Sequence, residues 1–135
     1  FETGKVARQA SGACVVRHGS TVVLGTVVLG NENPDIDYLP LMVDYRERYY
    51  SVGDIPPGII KREGKPKDKE VLVSRLIDRP IRPLFPKHFK RDIQVVVEVF
   101  SADMKYPPDI LSISAVSCAI SLSEIPFDGP IAGVR

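Results

Sequence analysis

The run ACVVRHGSTVVLGTVVLG, residues 13–30, restricts the fold more than any other stretch of this chain. Two Val-rich segments flank His18-Gly19-Ser20. β-Branched residues crowd a helix and fit a pleated strand, and a short Gly-containing break between two such segments signals a β-hairpin. The second segment, TVVLGTVVL, lacks clean alternation, which predicts a strand buried on both faces. A sheet therefore starts near the N-terminus, and later segments must pair with it or pack on it.

A polar loop, NENPDID, follows at residues 31–37. YLPLMVDYRERYY then reads as a third strand, with Leu39, Leu41 and Val43 alternating and Arg46 and Arg48 continuing the period at its end. Residues 51–67 are rich in Gly and Pro and predict a long loop, a feature that in compact domains is usually functional or disordered. Asp68 is a candidate N-cap for a helix running to about Asp78, with Val73, Leu76 and Ile77 as its apolar stripe and Pro80 as its stop. DIQVVVEVF, residues 92–100, is a strand. Pro107-Pro108-Asp109 opens a second helix, ILSISAVSCAISLSEI, which is apolar or small nearly all round and so belongs in the core. After PFDGP, the tail GPIAGVR reads as a strand cut short. The order β-β-β, loop, α, β, α, β fits one α+β domain in which helices pack on a mixed sheet.

At 135 residues one domain is expected, and Phe1 and the clipped last strand suggest a piece of something longer. No apolar run reaches the roughly 18 residues that a membrane span needs. Cys14 and Cys118 sit among small apolar residues and read as buried hydrophobes rather than a disulfide frame, pointing to an intracellular home.

Most motif chemistry is absent. There is no phosphate loop of the G-x-x-x-x-G-K-[ST] type and no G-x-G-x-x-G. His18 and His88 have no second ligand at metal spacing, and neither cysteine has a neighbouring base. Asp35 with Asp37, and Asp44 with Glu47, are the acid pairs close enough in sequence to consider for Mg²⁺, although acids at strand ends are more often solvated or paired with Arg.

Charge is more informative. The net charge is +1, yet residues 46–91 hold 13 of the 18 Lys and Arg and only 6 of the 17 acids, a balance of +7. The remainder stands at −6, with 5 basic and 11 acidic residues. A basic middle on an acidic frame fits a polyanion partner such as nucleic acid, or else a solvated basic loop and helix. The densest part is IIKREGKPKDKE, residues 59–70, followed by Arg75, Arg79 and Arg82. Such cations attract phosphates without reading sequence. Tyr49 and Tyr50 lie just upstream, placed either to stack on bases or to pack at a strand end.

Four stretches together resemble the first core domain of the polynucleotide phosphorylase family: FETGKVARQASGACVV, DYRERYYSVGDIPPGIIKREGKPKDKE, RLIDRPIRPLFP and PDILSISAVSCAISLSEIPFDGPIAGVR. The similarity spans essentially the whole chain. It implies a ribonuclease PH-like domain with the ribosomal protein S5 domain 2-like fold, cut short here at both ends. It implies an enzyme that degrades RNA from the 3′ end with inorganic phosphate as co-substrate, releases nucleoside diphosphates, can run in reverse, and needs Mg²⁺. It further implies a homotrimeric ring around an RNA channel and a bacterial cytoplasmic location, with an organellar one as the alternative. The other readings are a non-catalytic RNA-binding or ring-building subunit of an exosome-like assembly, and a stand-alone ribonuclease PH trimming transfer RNA.

The resemblance places the catalytic acids and the phosphate-binding serines in the second core domain, so no catalytic or metal-binding residue is expected in this segment and the segment alone is expected to be inactive. The helix start that carries a Ser pair in an active domain reads Pro107-Pro108 here, and proline offers neither a side-chain donor nor an N–H. The part implied for this half is to hold single-stranded RNA. The family motif has two Phe, two Arg and Glu-Gly-Arg-Pro on a loop that narrows the channel. The matching positions are Ile59, Ile60, Lys61, Arg62, Glu63, Gly64, Lys65 and Pro66. The RNA-binding set implied is therefore Ile59, Ile60, Lys61, Arg62 and Lys65, with Arg75, Arg79 and Arg82 as additional phosphate contacts. Ile cannot stack on a base as Phe can, and Lys lacks the bidentate fork of Arg.

Overall fold

The computed structural model describes all 135 residues. The N-terminal hairpin forms as expected: strand β2 (Gly12–His18) pairs antiparallel with β3 (Thr21–Glu32), and His18 faces Thr21 across a two-residue turn. Gly19 enters that turn at φ 59°, a left-handed conformation glycine adopts without steric penalty. A strand not anticipated from sequence, β1 (Glu2–Thr3), lies on the outer side of β2. Strand β5 (Arg91–Ser101) pairs antiparallel with β3, and β4 (Leu41–Glu47) pairs parallel with β5. The sheet order is β1-β2-β3-β5-β4, so β4 is an edge. The parallel β4–β5 pair needs a crossover, supplied by the loop after β4 and helix α1 (Asp68–Ile81).

One face of the sheet is buried. Cys14 and Val16 of β2, Val23 and Val27 of β3 and Ile93, Val95, Val97 and Val99 of β5 pack against the helices as one core cluster. The expectation that β3 is buried on both faces is not met. Burial alternates along it, with Thr21, Val23, Gly25 and Val27 inside and Val22, Leu24 and Thr26 only partly covered. The uniform Val content reflects strand propensity on a half-covered face, where packing does not exclude apolar residues.

Helix α2 (Pro108–Ser121) lies across β2 and β3 at unusually short range. A Cβ built on Gly12 would stand 2.1 Å from the carbonyl oxygen of Ala119, and one on Gly25 2.8 Å from the carbonyl carbon of Ala115. This close approach is why the inward side of α2 is made of Ser112, Ala115, Val116 and Ala119, all buried. No strand follows. The tail runs beside α2 instead, with the Ile131 amide donating to Ser117 Oγ at 2.8 Å and Gly133 against the Ile110 carbonyl. None of the helices is long and apolar enough to cross a membrane.

Helix α1 departs from the sequence reading at both ends. Lys67, not Asp68, is the N-cap, and its amide donates to the Glu70 carboxylate at 2.6 Å. Pro80 does not stop the helix, which continues to Ile81 and then into a 3-10 turn at Arg82–Leu84. In the last turn proline removes only one helical hydrogen bond, while Ile81 is fully buried. Ile81 joins Val73 and Ile77 as the buried stripe, and Leu76 is exposed.

In β4 the parity also corrects the sequence reading. Leu41 and Tyr45 point into the core, and Arg46 and Arg48 fall on the opposite parity rather than continuing that row. Tyr49–Val52 form a 3-10 turn rather than more strand.

Candidate nucleic-acid interface

The edge position of β4 determines how the basic loop is held. In a strand, the N–H and C=O of alternate residues point to the same side. The even residues of β4 turn toward β5, so the odd ones present their backbone groups at the free edge. Side chains of the loop, of α1 and of the turn that follows it satisfy several of them. Arg82 donates to the Leu39 and Leu41 carbonyls at 3.1 and 3.0 Å. The Tyr45 amide donates to Ser74 Oγ at 3.0 Å, the Glu47 amide to Glu70 Oε1 at 2.8 Å, and the Tyr49 amide to Glu63 Oε1 at 2.5 Å. The crossover is thereby fastened to the sheet edge from one end to the other.

Above this edge the loop carries the predicted residues. Ile59 is 100% exposed and Ile60 75% exposed. Gly58 at φ 96° and Lys61 at φ 52° turn the backbone at the tip. A left-handed lysine is uncommon and carries backbone strain. Lys61, Arg62 and Lys65 are exposed and make no ion pair or hydrogen bond within the chain. The next two cations differ. Lys67 lies over the Tyr49 ring at 3.9 Å, a cation–π contact, and Lys69 is paired with Glu47 at 2.9 Å. One face of Tyr49 is thus already covered, and the Tyr50 hydroxyl donates to Glu98 at 3.2 Å. Partial burial and the Glu98 charge push the Tyr50 phenol above its usual range.

Arg48 is the hub beneath the loop. Its guanidinium donates to Glu63 through Nη1 and to Glu98 on β5 through Nε, both at 3.0 Å. These two carboxylates hold it still further above the ordinary arginine range. For Glu63, partial burial opposes the charge, but the Tyr49 amide and Arg48 outweigh it, and the carboxyl is held below the usual range. A cleft of about 180 Å³ lies between the loop and the sheet edge, lined by Arg46, Arg48, Arg62, Lys65 and the three acids Glu47, Glu63 and Glu70.

The outlying arginines separate. Arg75 and Arg79 are exposed and without a carboxylate partner, and Arg75 shares a shallow groove with loop residue Pro66. Arg82 is committed to the fold: besides its two carbonyl contacts it grips Asp78 with Nε and Nη2 at 3.0 and 2.7 Å. Asp44 and Glu47, weighed above as a cation pair, point to opposite sides of β4. No group of three His, Cys, Asp or Glu side chains is arranged to hold a metal ion, so the residues present do not fit the Mg²⁺ that the resemblance implies for the whole enzyme. Cys14 is buried and Cys118 half-buried, and both are free thiols.

Sequence reasoning found the cations and missed their anchors, Glu63, Glu70 and Ser74. One signal was present. Glu70 stands three residues after the helix N-cap, the capping-box position from which a carboxylate reaches back to the cap amide.

Comparison with known proteins gives the family and the fold. Residues 1–126 match the 3′ exoribonuclease family, domain 1. The polyribonucleotide nucleotidyltransferase of Heliobacterium modesticaldum is 59% identical over 135 residues, covering 99% of this chain and 19% of that protein. That of Halothermothrix orenii is 53% identical over 135 residues, covering 100% and 19%. The chain thus spans about a fifth of the length of the curated relatives it matches. Among solved structures, an Archaeoglobus fulgidus exosome with RNA bound to the active site superposes with a TM-score of 0.71 at 20% identity, over 90% of this chain and 50% of that one. Rice Rrp46 gives 0.68 at 18% identity, over 94% and 56%. At such identities the structures speak for the fold: the mixed sheet with its helices is that of ribonuclease PH-like subunits.

Proposed function

The chain belongs to the 3′ exoribonuclease family as a domain 1, and on that premise we propose that it is the RNA-holding, non-catalytic part of a larger phosphorolytic enzyme. That enzyme degrades RNA from the 3′ end, inorganic phosphate displacing the terminal nucleotide as its diphosphate. The observation that carries the reading is the loop: Lys61, Arg62 and Lys65 have no partner in the chain and stand beside two exposed isoleucines. Unpaired cations on an arched loop suit the evenly charged backbone of a single strand. Ile59 and Ile60 contribute apolar contact to sugar and base without the grip of stacking. Arg75 and Arg79 extend the phosphate contacts. The Mg²⁺ and the acids that bind it belong to another part of the enzyme, the working form is a homotrimer around the RNA path, and the setting is the bacterial cytoplasm.

The test is Lys61→Ala with Arg62→Ala in the full-length protein. Losing two phosphate contacts should flatten the slope of log K against log salt by roughly 1.4, from about 0.7 per contact on single strands. Phosphorolysis of long RNA should suffer more than that of very short oligonucleotides. Equal losses on both would refute a holding role. The 135-residue chain alone should release no nucleoside diphosphate from RNA with phosphate, and release by the pure chain would overturn the non-catalytic assignment.

A further inference from the structure

A carboxylate in the middle of a loop meant for a polyanion is an electrostatic cost. Glu63 sits between Arg62 and Lys65, the very cations assigned to the RNA backbone. Yet its side chain is turned inward and only 21% exposed, and both oxygens are in use, one on the Tyr49 amide and one on Arg48. Between Ile55 and Lys67 the loop makes no other hydrogen bond of any kind: its backbone bonds stop at Asp54 and Ile55 and resume at Lys67. Residues 56–66 are hydrogen-bonded to the rest of the chain through this single side chain. From Glu63 the contact continues through Arg48 to Glu98, which lies on β5 inside the sheet.

We propose that Glu63 is a positioning residue for RNA: it tethers the cationic loop to the Arg48–Glu98 pair, so that Lys61, Arg62 and Lys65 are presented in one fixed place. This inference rests on the RNA-holding reading above. The physical gain is preorganisation. A loop pinned only at its ends must be ordered when RNA binds, and that ordering subtracts from affinity. Glu63 itself touches no RNA.

The experiment exploits a sign. Glu63→Gln and Glu63→Ala each remove a negative charge from the loop, so an acid that acted only through its charge would, when removed, leave RNA bound more tightly. A tether predicts the reverse. In the full-length protein, both variants should weaken binding of a long single-stranded RNA by at least about fivefold, or about 1 kcal/mol. KM for that RNA should rise by more than kcat falls. Arg48→Ala should act in the same direction, and the double variant with Glu63→Ala should be less than additive, because both changes cut one link. A variant that merely unfolds would lower kcat at constant KM instead. Tighter or unchanged RNA binding by Glu63→Gln and Glu63→Ala, alongside weakened binding by Lys61→Ala with Arg62→Ala, would overturn the tether and leave the RNA-holding reading intact. No effect from either set would overturn both.

Discussion

Glu70 gives the sharpest test of how the crossover is attached. It is 6% exposed, and its two oxygens accept the amides of Glu47 at 2.8 Å and Lys67 at 2.6 Å. Hydrogen bonds to an ionised acceptor contribute about 1.5–3 kcal/mol each. Glu70→Ala removes both and leaves two backbone donors without partners. Relief of the buried carboxylate's desolvation returns part of that. The net local loss should be about 2–5 kcal/mol. Glu70→Gln keeps the side-chain volume and one acceptor oxygen but turns its NH₂ toward the other amide, so about half the loss is expected.

Hydrogen exchange in the full-length protein reads this directly, because local opening free energies appear as exchange rates. The amides of Glu47 and Lys67 should exchange roughly 30-fold to several thousandfold faster in Glu70→Ala, at about 1.4 kcal/mol per decade. Glu70→Gln should fall between that and the parent. The amide of Tyr45, held by Ser74 rather than Glu70, should change far less. Unaltered protection of Glu47 and Lys67 in both variants would refute the claim that this carboxylate fastens the helix to the strand edge.

Other consequences are checkable by standard means. Gly12→Ala drives a methyl into the Ala119 carbonyl, 2.1 Å away, and should cost about 3 kcal/mol, the upper end for overpacking. Gly64→Ala, with nothing within 4 Å of the new methyl, should stay within about 0.5 kcal/mol, and thermal melts would compare them. Burial, with Cys118 alongside, pushes the Cys14 thiol from 9.0 up to about 12. Its thiolate fraction at pH 8 is then about a thousandfold below that of a free thiol, and native alkylation should spare it until the chain is unfolded. Glu63 has a folded pKa below its ordinary 4.5. Its contribution is therefore complete above that ordinary value and lost as the pH falls through the lower folded one. Exchange of the Tyr49 amide, which Glu63 accepts, should accelerate relative to its intrinsic rate as the pH falls below about 4.5.

The hairpin, β5 and α2 were legible because local periodicity and turn chemistry decide them. Other elements depended on tertiary partners. β1 is two residues long and exists only as a neighbour of β2. Pro80 was read as a stop by its local rule, but burial of Ile81 and the Arg82 contacts carry the helix past it. The tail looked like a strand by composition and lies along α2 because Ser117 takes its amide. For the site, the cations were plain in the sequence and the acids beside them resembled simple charge balance. Their function depends on which edge of β4 is free, and that follows from β4 pairing parallel with β5, which no local pattern encodes.

The same edge accounts for the charge pattern. A free strand edge invites pairing with other chains and has to be covered. Here the cover is made of polar side chains, and each acid among them faces inward. Of the six acids in residues 46–91, Glu47, Glu63 and Asp78 are paired with Lys69, Arg48 and Arg82, and Glu70 holds backbone amides. Only Asp54 and Asp68 remain exposed and unpaired with a cation, against ten Lys and Arg without a carboxylate partner. The surface offered to solvent is thus more one-sided than the formal balance of +7, and a buried acid serves a basic surface better than no acid at all. Replacing Glu63 and Glu70 together by Gln would raise the formal charge by two while loosening the loop that carries it. If charge alone governed RNA affinity, that variant would bind more tightly than the parent; if placement governs it, more weakly, and most clearly at the higher salt where long-range attraction is screened.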